Sequence, residues 1–290
     1  MPITCLRDIN ESFNEGRTHT QRFFKNASTT GDLQWIDWAF ASGQPAYDAR
    51  IGTAGTFNPI VAARNDAIYF PEITSGQHRH IVGLNVRTAA GGTNQAICSM
   101  ILYDLLGVYP LIDGDSTDEQ IMDNSSPLPR YASGEGVLAV MVNHVSPMIS
   151  AANGTMNYTD DAGASKTTAI RVALTGQNKV VTAIPGTGAL GALNIPLASG
   201  SKGIRSVDSV TFTGAPGGLF AIYMIKPIIT VLNCDGLLTA EKVFTEKCLC
   251  AHNGWNMPRI YDGAHLGFFM MPNGSSRAIS VFGDATFVWK

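Results

Sequence analysis

The sequence predicts an all-β protein, a jelly-roll-like antiparallel β-sandwich with an N-terminal, partly helical arm. Three observations carry that expectation. From Leu33 onward, short runs of β-branched and aromatic residues alternate with turns of Gly, Ser, Thr, Asn and Pro, the rhythm of sandwiches and barrels. No long helical pattern separates these runs, so the crossover helices that a doubly wound parallel sheet needs have no place. The 290 residues are 45% hydrophobic, enough to bury a large core without disulfide or metal staples.

Residues 1–32 are assigned to the arm. Leu6, Ile9 and Phe13 fall at helical spacing, followed by a polar stretch from Asn14 to Arg22 with Gly16 inside it and then by Phe23 and Phe24. Arg7, Arg17, Arg22 and Lys25 stand against Asp8, Glu11 and Glu15, so the segment is nearly neutral and amphipathic and suits the surface of a neighbouring subunit. Removing residues 1–25 is expected to leave the β domain folded and to weaken assembly.

Residues 33–290 form the β-sandwich domain, with a separate C-terminal β extension from about residue 232 left open. Expected strands are 34–40, 67–70, 79–88, 96–106, 137–145, 155–159, 167–174, 179–184, 206–213, 218–231, 266–271 and 278–289. Gly214-Ala-Pro-Gly217 turns 206–213 into 218–231 as an antiparallel hairpin, and the seven residues from Ala89 to Gln95 do the same for 79–88 and 96–106. Broken alternation at Asp208 and Ser209 marks a bulge, and Pro227 places its strand at an edge or near an end.

Charge excludes several functions. Formal net charge is −3 and the pI is near 6.0, with no run of Lys or Arg, so no nucleic-acid partner is expected. The N-terminus lacks a secretory pattern and no segment reaches the ~18 uninterrupted apolar residues of a membrane helix, so neither secretion nor a membrane is expected. Six N-x-S/T sequons, at Asn10, Asn26, Asn124, Asn153, Asn157 and Asn273, read as turn chemistry. Cys5, Cys98, Cys234, Cys248 and Cys250 are odd in number and scattered, as reduced thiols would be. Cys248 and Cys250, with His252 nearby, form C-x-C without a second ligand pair, so no zinc is expected.

Each candidate site has a structural explanation that outweighs it. Gly186, Gly188 and Gly191 match G-x-G-x-x-G with Asp208 about twenty residues on, but Pro196 and Gly200 stop the helix that would hold a pyrophosphate. His78 and His80 flank Arg79 at a strand entry without a carboxylate at cupin-like offset, so they are read as solvated histidines. Asp113, Asp115, Asp118, Glu119 and Asp123 crowd one acidic turn without the order of a calcium loop. Ser116 and Glu119 there read as a capping box opening a short helix through Asp123. The 113–133 loop that contains this turn is a candidate contact between subunits. No G-x-S-x-G, H-E-x-x-H or P-loop occurs, so enzymatic activity, catalytic residues, metal ligands and cofactors are not expected. Trp35, Trp38 and Phe40 read as core.

An ordered series of segments carries a resemblance: FFKNAS from Phe23, WIDWAFASGQPAYDA from Trp35, YPLIDGDSTDEQIMDN from Tyr109, LPRYASGEGV from Leu128, PLASGSKGIRSVDSVTFTGAPGGLFAIYMIKP from Pro196, and DGAHLGFFM from Asp262. Together they resemble virion structural proteins of tailed bacteriophages, from Phe23 to Trp289. The resemblance implies a structural subunit of the virion, made in the host cytoplasm, whose partners are other virion proteins (major capsid or tail proteins) and its own copies in a homo-oligomer. A capsid-associated decoration or cement role is the first expectation, a tail or neck component or the major capsid protein the next. From another class, a carbohydrate- or receptor-binding β-sandwich could use Tyr131, Trp255 or Tyr261 as sugar platforms.

Overall fold

A computed structural model describes residues 3, 5–27, 34–46, 52–61, 67–90, 98–145, 148–173, 179–183, 192–233, 243–248, 257–272 and 279–290. The elements are helix α1 (Leu6–Asn14) and strands β1 (Thr18–Ala27), β2 (Ile36–Asp37), β3 (Ser42–Gln44), β4 (Asn58–Pro59), β5 (Arg79–Ala90), β6 (Cys98–Asp113), β7 (Gln120–Ile121), β8 (Leu138–Val145), β9 (Ala152–Asp160), β10 (Ser165–Val172), β11 (Lys179–Val180), β12 (Ile204–Phe212), β13 (Leu219–Asn233), β14 (Val243–Cys248), β15 (Arg259–Ile260), β16 (Leu266–Pro272) and β17 (Ile279–Trp289). A 3-10 turn at Trp38–Phe40 follows β2. The strand pairs are antiparallel throughout, as expected, and face-to-face sheets make the layers.

The middle layer closes on itself. Its order runs β13-β8-β11-β2-β16-β6, and β6 pairs again with β13, so six strands form a ring with β4 added beside β6. Side chains fill the ring, among them Tyr103, Leu105, Val140, Val142, Tyr223 and Phe269, as in any barrel of this size. Two open sheets pack on its outside. One, ordered β14-β5-β17-β1-β3 with β15 beside β5, presents Phe23, Leu84, Val86 and Phe287 to Met100, Leu102, Phe268 and Val231. The other, ordered β10-β9-β12-β7, presents Met156, Tyr158, Val207 and Phe212 to Leu106, Tyr109, Ile222 and Met141.

Sequence explains why β6 and β13 hold the centre. The run CSMILYDLLGVYPLID is apolar at both parities, so both of its faces demand burial. Its odd residues 101, 103 and 105 enter the barrel, while Met100 and Leu102 face one outer sheet and Leu106, Tyr109 and Ile112 face the other. β13 pairs with β6 along its whole length and serves the same three cores. Pro227 lies beyond Ile225, where β8 stops pairing, and the register with β6 shifts between Pro227 and Ile229. A residue without an N–H is tolerated there for the reason anticipated from sequence. The bulge at Asp208 is likewise present, as a register shift between Val207 and Ser209.

The N-terminal segment differs from the expected arm. Helix α1 is present, but residues 18–27 are a ten-residue strand that pairs with β17 from Thr18↔Val288 to Ala27↔Ile279 and with β3 on its other edge. The reason lies in its alternation. Thr20, Arg22, Phe24 and Asn26 are exposed, whereas Phe23 and Lys25 point inward, and the buried Lys25 ammonium donates to the carbonyls of Ala41 (3.0 Å) and Ala46 (3.2 Å). A polar outward face disguised a strand as a linker. Removing residues 1–25 would therefore take out most of a strand that is paired on both sides.

Helix α1, through Ile9, and Ile3 ahead of it rest on the outer face of this sheet against Val82, Met257 and Val288. Lys290 reaches back to Asp8 and Glu11, and the Ser12 hydroxyl donates to the Trp289 carbonyl at 3.0 Å. The expected Ala89–Gln95 hairpin turn falls largely outside the described residues, at 91–97. Among those described, no helix is long and apolar enough to cross a membrane.

Candidate functional site

Short of its terminal Asp113, β6 carries one charge in its apolar run. Asp104 follows the same outward parity as Leu102 and Leu106, so it emerges between the two outer cores, where it is 1% exposed. A carboxylate there requires a dedicated cation. Arg130 supplies it as a two-pronged fork: Nε donates to Oδ2 and Nη2 to Oδ1, both at 2.8 Å. The guanidinium also donates to the carbonyls of Ile60 (2.8 Å) and Leu105 (3.0 Å), and the His265 N–H donates to Asp104 Oδ1 at 2.9 Å. Burial pushes the Asp104 carboxyl up, and the Arg130 hydrogen bonds oppose that shift.

This seam joins segments far apart in sequence. Arg130 comes from LPRYASGEGV and His265 from DGAHLGFFM, and the same two segments are tied to others. Gly134 accepts from the Ile204 N–H (3.1 Å), the Gly136 N–H donates to Lys202 (3.0 Å), and Arg205 Nε donates to the Ser133 carbonyl (3.0 Å). A Cβ on Gly203 would lie 2.0 Å from the Gly134 oxygen, so these two loops cross at backbone contact distance. Lys226 Nζ donates to the Glu135 carbonyl at 2.7 Å. Sequence reading did not single out Asp104 or Arg130. The available signal was a lone Asp inside a both-faces apolar strand.

The acidic turn forms no helix. After Ser116 the chain bends and enters the two-residue strand β7, which pairs with β12. Asp113 Oδ1 accepts from the Asp115 N–H (2.8 Å), Ser116 Oγ from the Asp118 N–H (3.1 Å), and Asp123 Oδ1 from the Ser125 N–H (2.9 Å). These side-chain turns outcompete a cap because each oxygen finds an amide two residues on. Glu119 instead accepts from Ser209 Oγ at 2.6 Å. The 113–133 loop thus divides: 113–127 is largely exposed, with Ile121 78% exposed, while Leu128 and Arg130 are buried.

The remaining candidates fall apart from one another. His80 is buried, with Nδ1 3.1 Å from the Met257 carbonyl, and burial lowers its pKa; His78 is half-buried at the strand entry. Among the described residues no three His, Cys, Asp or Glu side chains gather as a metal would need. Trp35 fills the barrel and Trp38 the first outer core, as core residues. Tyr131 and Tyr261 meet edge to face with centroids 5.0 Å apart. Lys226 and Arg259 lie 5.3 and 4.5 Å from their respective ring centres, so neither ring is a bare platform. Gly186, Gly188, Gly191, Cys250, His252 and Trp255 lie outside the described residues, and nothing is described of the Cys248 side chain.

The outer surface of the β9–β12 pair carries a polar network. Asp208 accepts from Ser206 (2.9 Å) and Thr159 (3.1 Å), and Asn157 links Ser209 (2.9 Å) to Thr167 (2.7 Å). Asp208, which follows the glycine motif by about twenty residues, is thereby engaged within its own sheet.

No protein-family model matches the chain, and no curated protein matches its sequence. Slight likenesses occur among solved structures. The 2.6 Å structure of infectious bursal virus-derived T=1 particles is 12% identical over 93% of this chain and 77% of its own, with a TM-score of 0.20. The infectious bursal disease virus Gt strain is 10% identical over 94% and 80%, with a TM-score of 0.19. The VP2 subviral particle of that virus is 10% identical over 93% and 80%, with a TM-score of 0.18. At these scores the likeness carries no argument, and the neighbours are not from tailed phages.

Proposed function

We infer that this chain is a structural subunit of a virus particle rather than an enzyme, and within that class a capsid-associated decoration or cement subunit of a tailed phage. One observation supports this most: the segments that resemble virion proteins are used as framework. Arg130, His265, Gly134 and Gly203 come from those segments and bind loops to one another and to the barrel at Asp104. Contact with other subunits would fall to apolar side chains left on the surface, Ile121 at 78% and Ile149 at 74% exposure, both at the margin of the β10-β9-β12-β7 sheet. Its partners are then copies of itself and other virion proteins, and its location is the particle.

The experiment is labelling of purified particles with an antibody raised against the recombinant chain, read by electron microscopy. Regular labelling of the shell is the expected result. Labelling confined to the neck or tail moves the assignment to that component, and particles that contain none of the chain overturn the structural reading.

A further inference from the structure

A cavity of about 880 Å3 opens at the β3 side of the sheet that holds both chain ends, beside residues 67–73. That volume lies within the roughly 300–1,000 Å3 of small-molecule sites. Its wall joins the exposed ring of Tyr69 and the buried ring of Phe70 to several planar polar groups. Tyr69 is 55% exposed, and its ring is braced edge-on by His19, with centroids 5.7 Å apart and planes at 87°. Gln21, Gln44, Glu72 and Asp262 bring amides and carboxylates to the same space.

Arg79, also on the wall, is 1% exposed and fixed in place. Nη1 lies 3.3 Å from Asp262 Oδ1, Nη2 donates to the Pro71 carbonyl, and the guanidinium carbon stands 4.3 Å from the Phe70 ring centre. Its Nε–H is buried without a hydrogen-bond partner. With its side chain wholly enclosed, Arg79 shapes the wall and places a positive charge behind it.

We propose that this cavity binds a neutral saccharide. A sugar ring offers an apolar C–H face and a rim of hydroxyls that both donate and accept. Tyr69 matches the face, Glu72 and Asp262 accept, and Gln21 and Gln44 donate. Two carboxylates stand against one guanidinium, so an anionic ligand is disfavoured. The site does not rest on the structural role, since a virion subunit can carry it.

The test is an array of neutral gluco-, galacto-, manno- and N-acetylhexosaminyl oligosaccharides alongside sialylated ones, probed with the full chain, then titration calorimetry on the strongest neutral ligand. The expected result is binding that Tyr69→Ala and Gln44→Ala each weaken at least tenfold at an unchanged melting temperature, and that Ser165→Ala, at an exposed position on the remote β10, leaves intact. Should Tyr69→Ala misfold, Gln44→Ala and Glu72→Gln, both at exposed positions, decide. No neutral ligand on the array, a preference for sialylated glycans, or binding indifferent to these substitutions overturns the proposal.

Discussion

Arg130 closes on Asp104 with two parallel hydrogen bonds of 2.8 Å at the point on β6 where the two outer cores of the molecule meet. Both side chains are almost wholly buried, at 6% and 1% side-chain exposure, so neither has water to fall back on. The pair binds a long surface loop to the central barrel.

Arg130→Ala leaves a buried carboxylate without its cation. The expected loss is about 3–5 kcal/mol of unfolding free energy, read from urea denaturation. Replacing both partners by apolar residues, Asp104→Leu with Arg130→Met, is expected to recover much of that loss. A single variant as stable as the parent would show that the fork contributes nothing.

Truncation separates the helix from the strand. Deleting residues 1–16 removes α1 and its small patch of Ile3 and Ile9 and leaves the three cores intact, so cooperative unfolding persists at a lower melting temperature. Deleting residues 1–27 removes Phe23 and the strand between β17 and β3, and is expected to abolish cooperative unfolding. Calorimetry on the two proteins distinguishes them.

How much of this was legible in the sequence depends on whether the signal was local. The strands around Val140, Val210 and Ile222 were visible, as were the bulge at Asp208 and the consequence of Pro227, because alternation and proline chemistry act within a few residues. The strand at Thr18–Ala27 was not, since its exposed face is as polar as a linker and its partner lies at the other end of the chain. Closure of the barrel rests on contacts of one or two residues at Lys179 and Ile36, too few to leave a pattern. The Asp104–Arg130 pair was hidden for a related reason: a loop arginine does not announce which strand it enters. At the acidic turn the capping-box spacing was present, but Glu119 found Ser209 instead.

The α1 clamp is expected to open in acid. Lys290 hydrogen bonds hold the Glu11 carboxyl below the usual range, and Asp8 and Glu11 raise Lys290. The depressed Glu11 stabilises the docked helix above the ordinary carboxylate pKa of about 4.3 and loses that contribution as pH falls through its lower, folded value. The raised Lys290 contributes below about pH 10.4 and loses its share as pH climbs past it. Amide exchange of residues 6–14 by mass spectrometry should accelerate, after correction for intrinsic rates, below about pH 4. Protection unchanged from pH 7 to pH 3 would refute the clamp.

Two cysteines should behave oppositely. Cys5 is exposed at the start of α1, while Cys98 is wholly buried in the first outer core and burial pushes its thiol up to about 12. Iodoacetamide at pH 8 is expected to modify Cys5 in the native protein and Cys98 only after denaturation, as read by peptide mass spectrometry. Native labelling of Cys98 would mean that β6 leaves its core.

The pairing of β1 with β17 has a consequence for biosynthesis. When Thr18–Ala27 leaves the ribosome, its long partner does not yet exist, and it must wait until residues 279–288 have been translated. At about 5–20 residues per second that interval lasts roughly 10–50 s, during which Phe23 and the apolar face of the nascent strand are open to chaperones and to other nascent chains. The sheet that joins Thr18–Ala27 to residues 279–288 is therefore completed late in synthesis, and crowded polysomes are where this chain is most exposed to mispairing with its own copies.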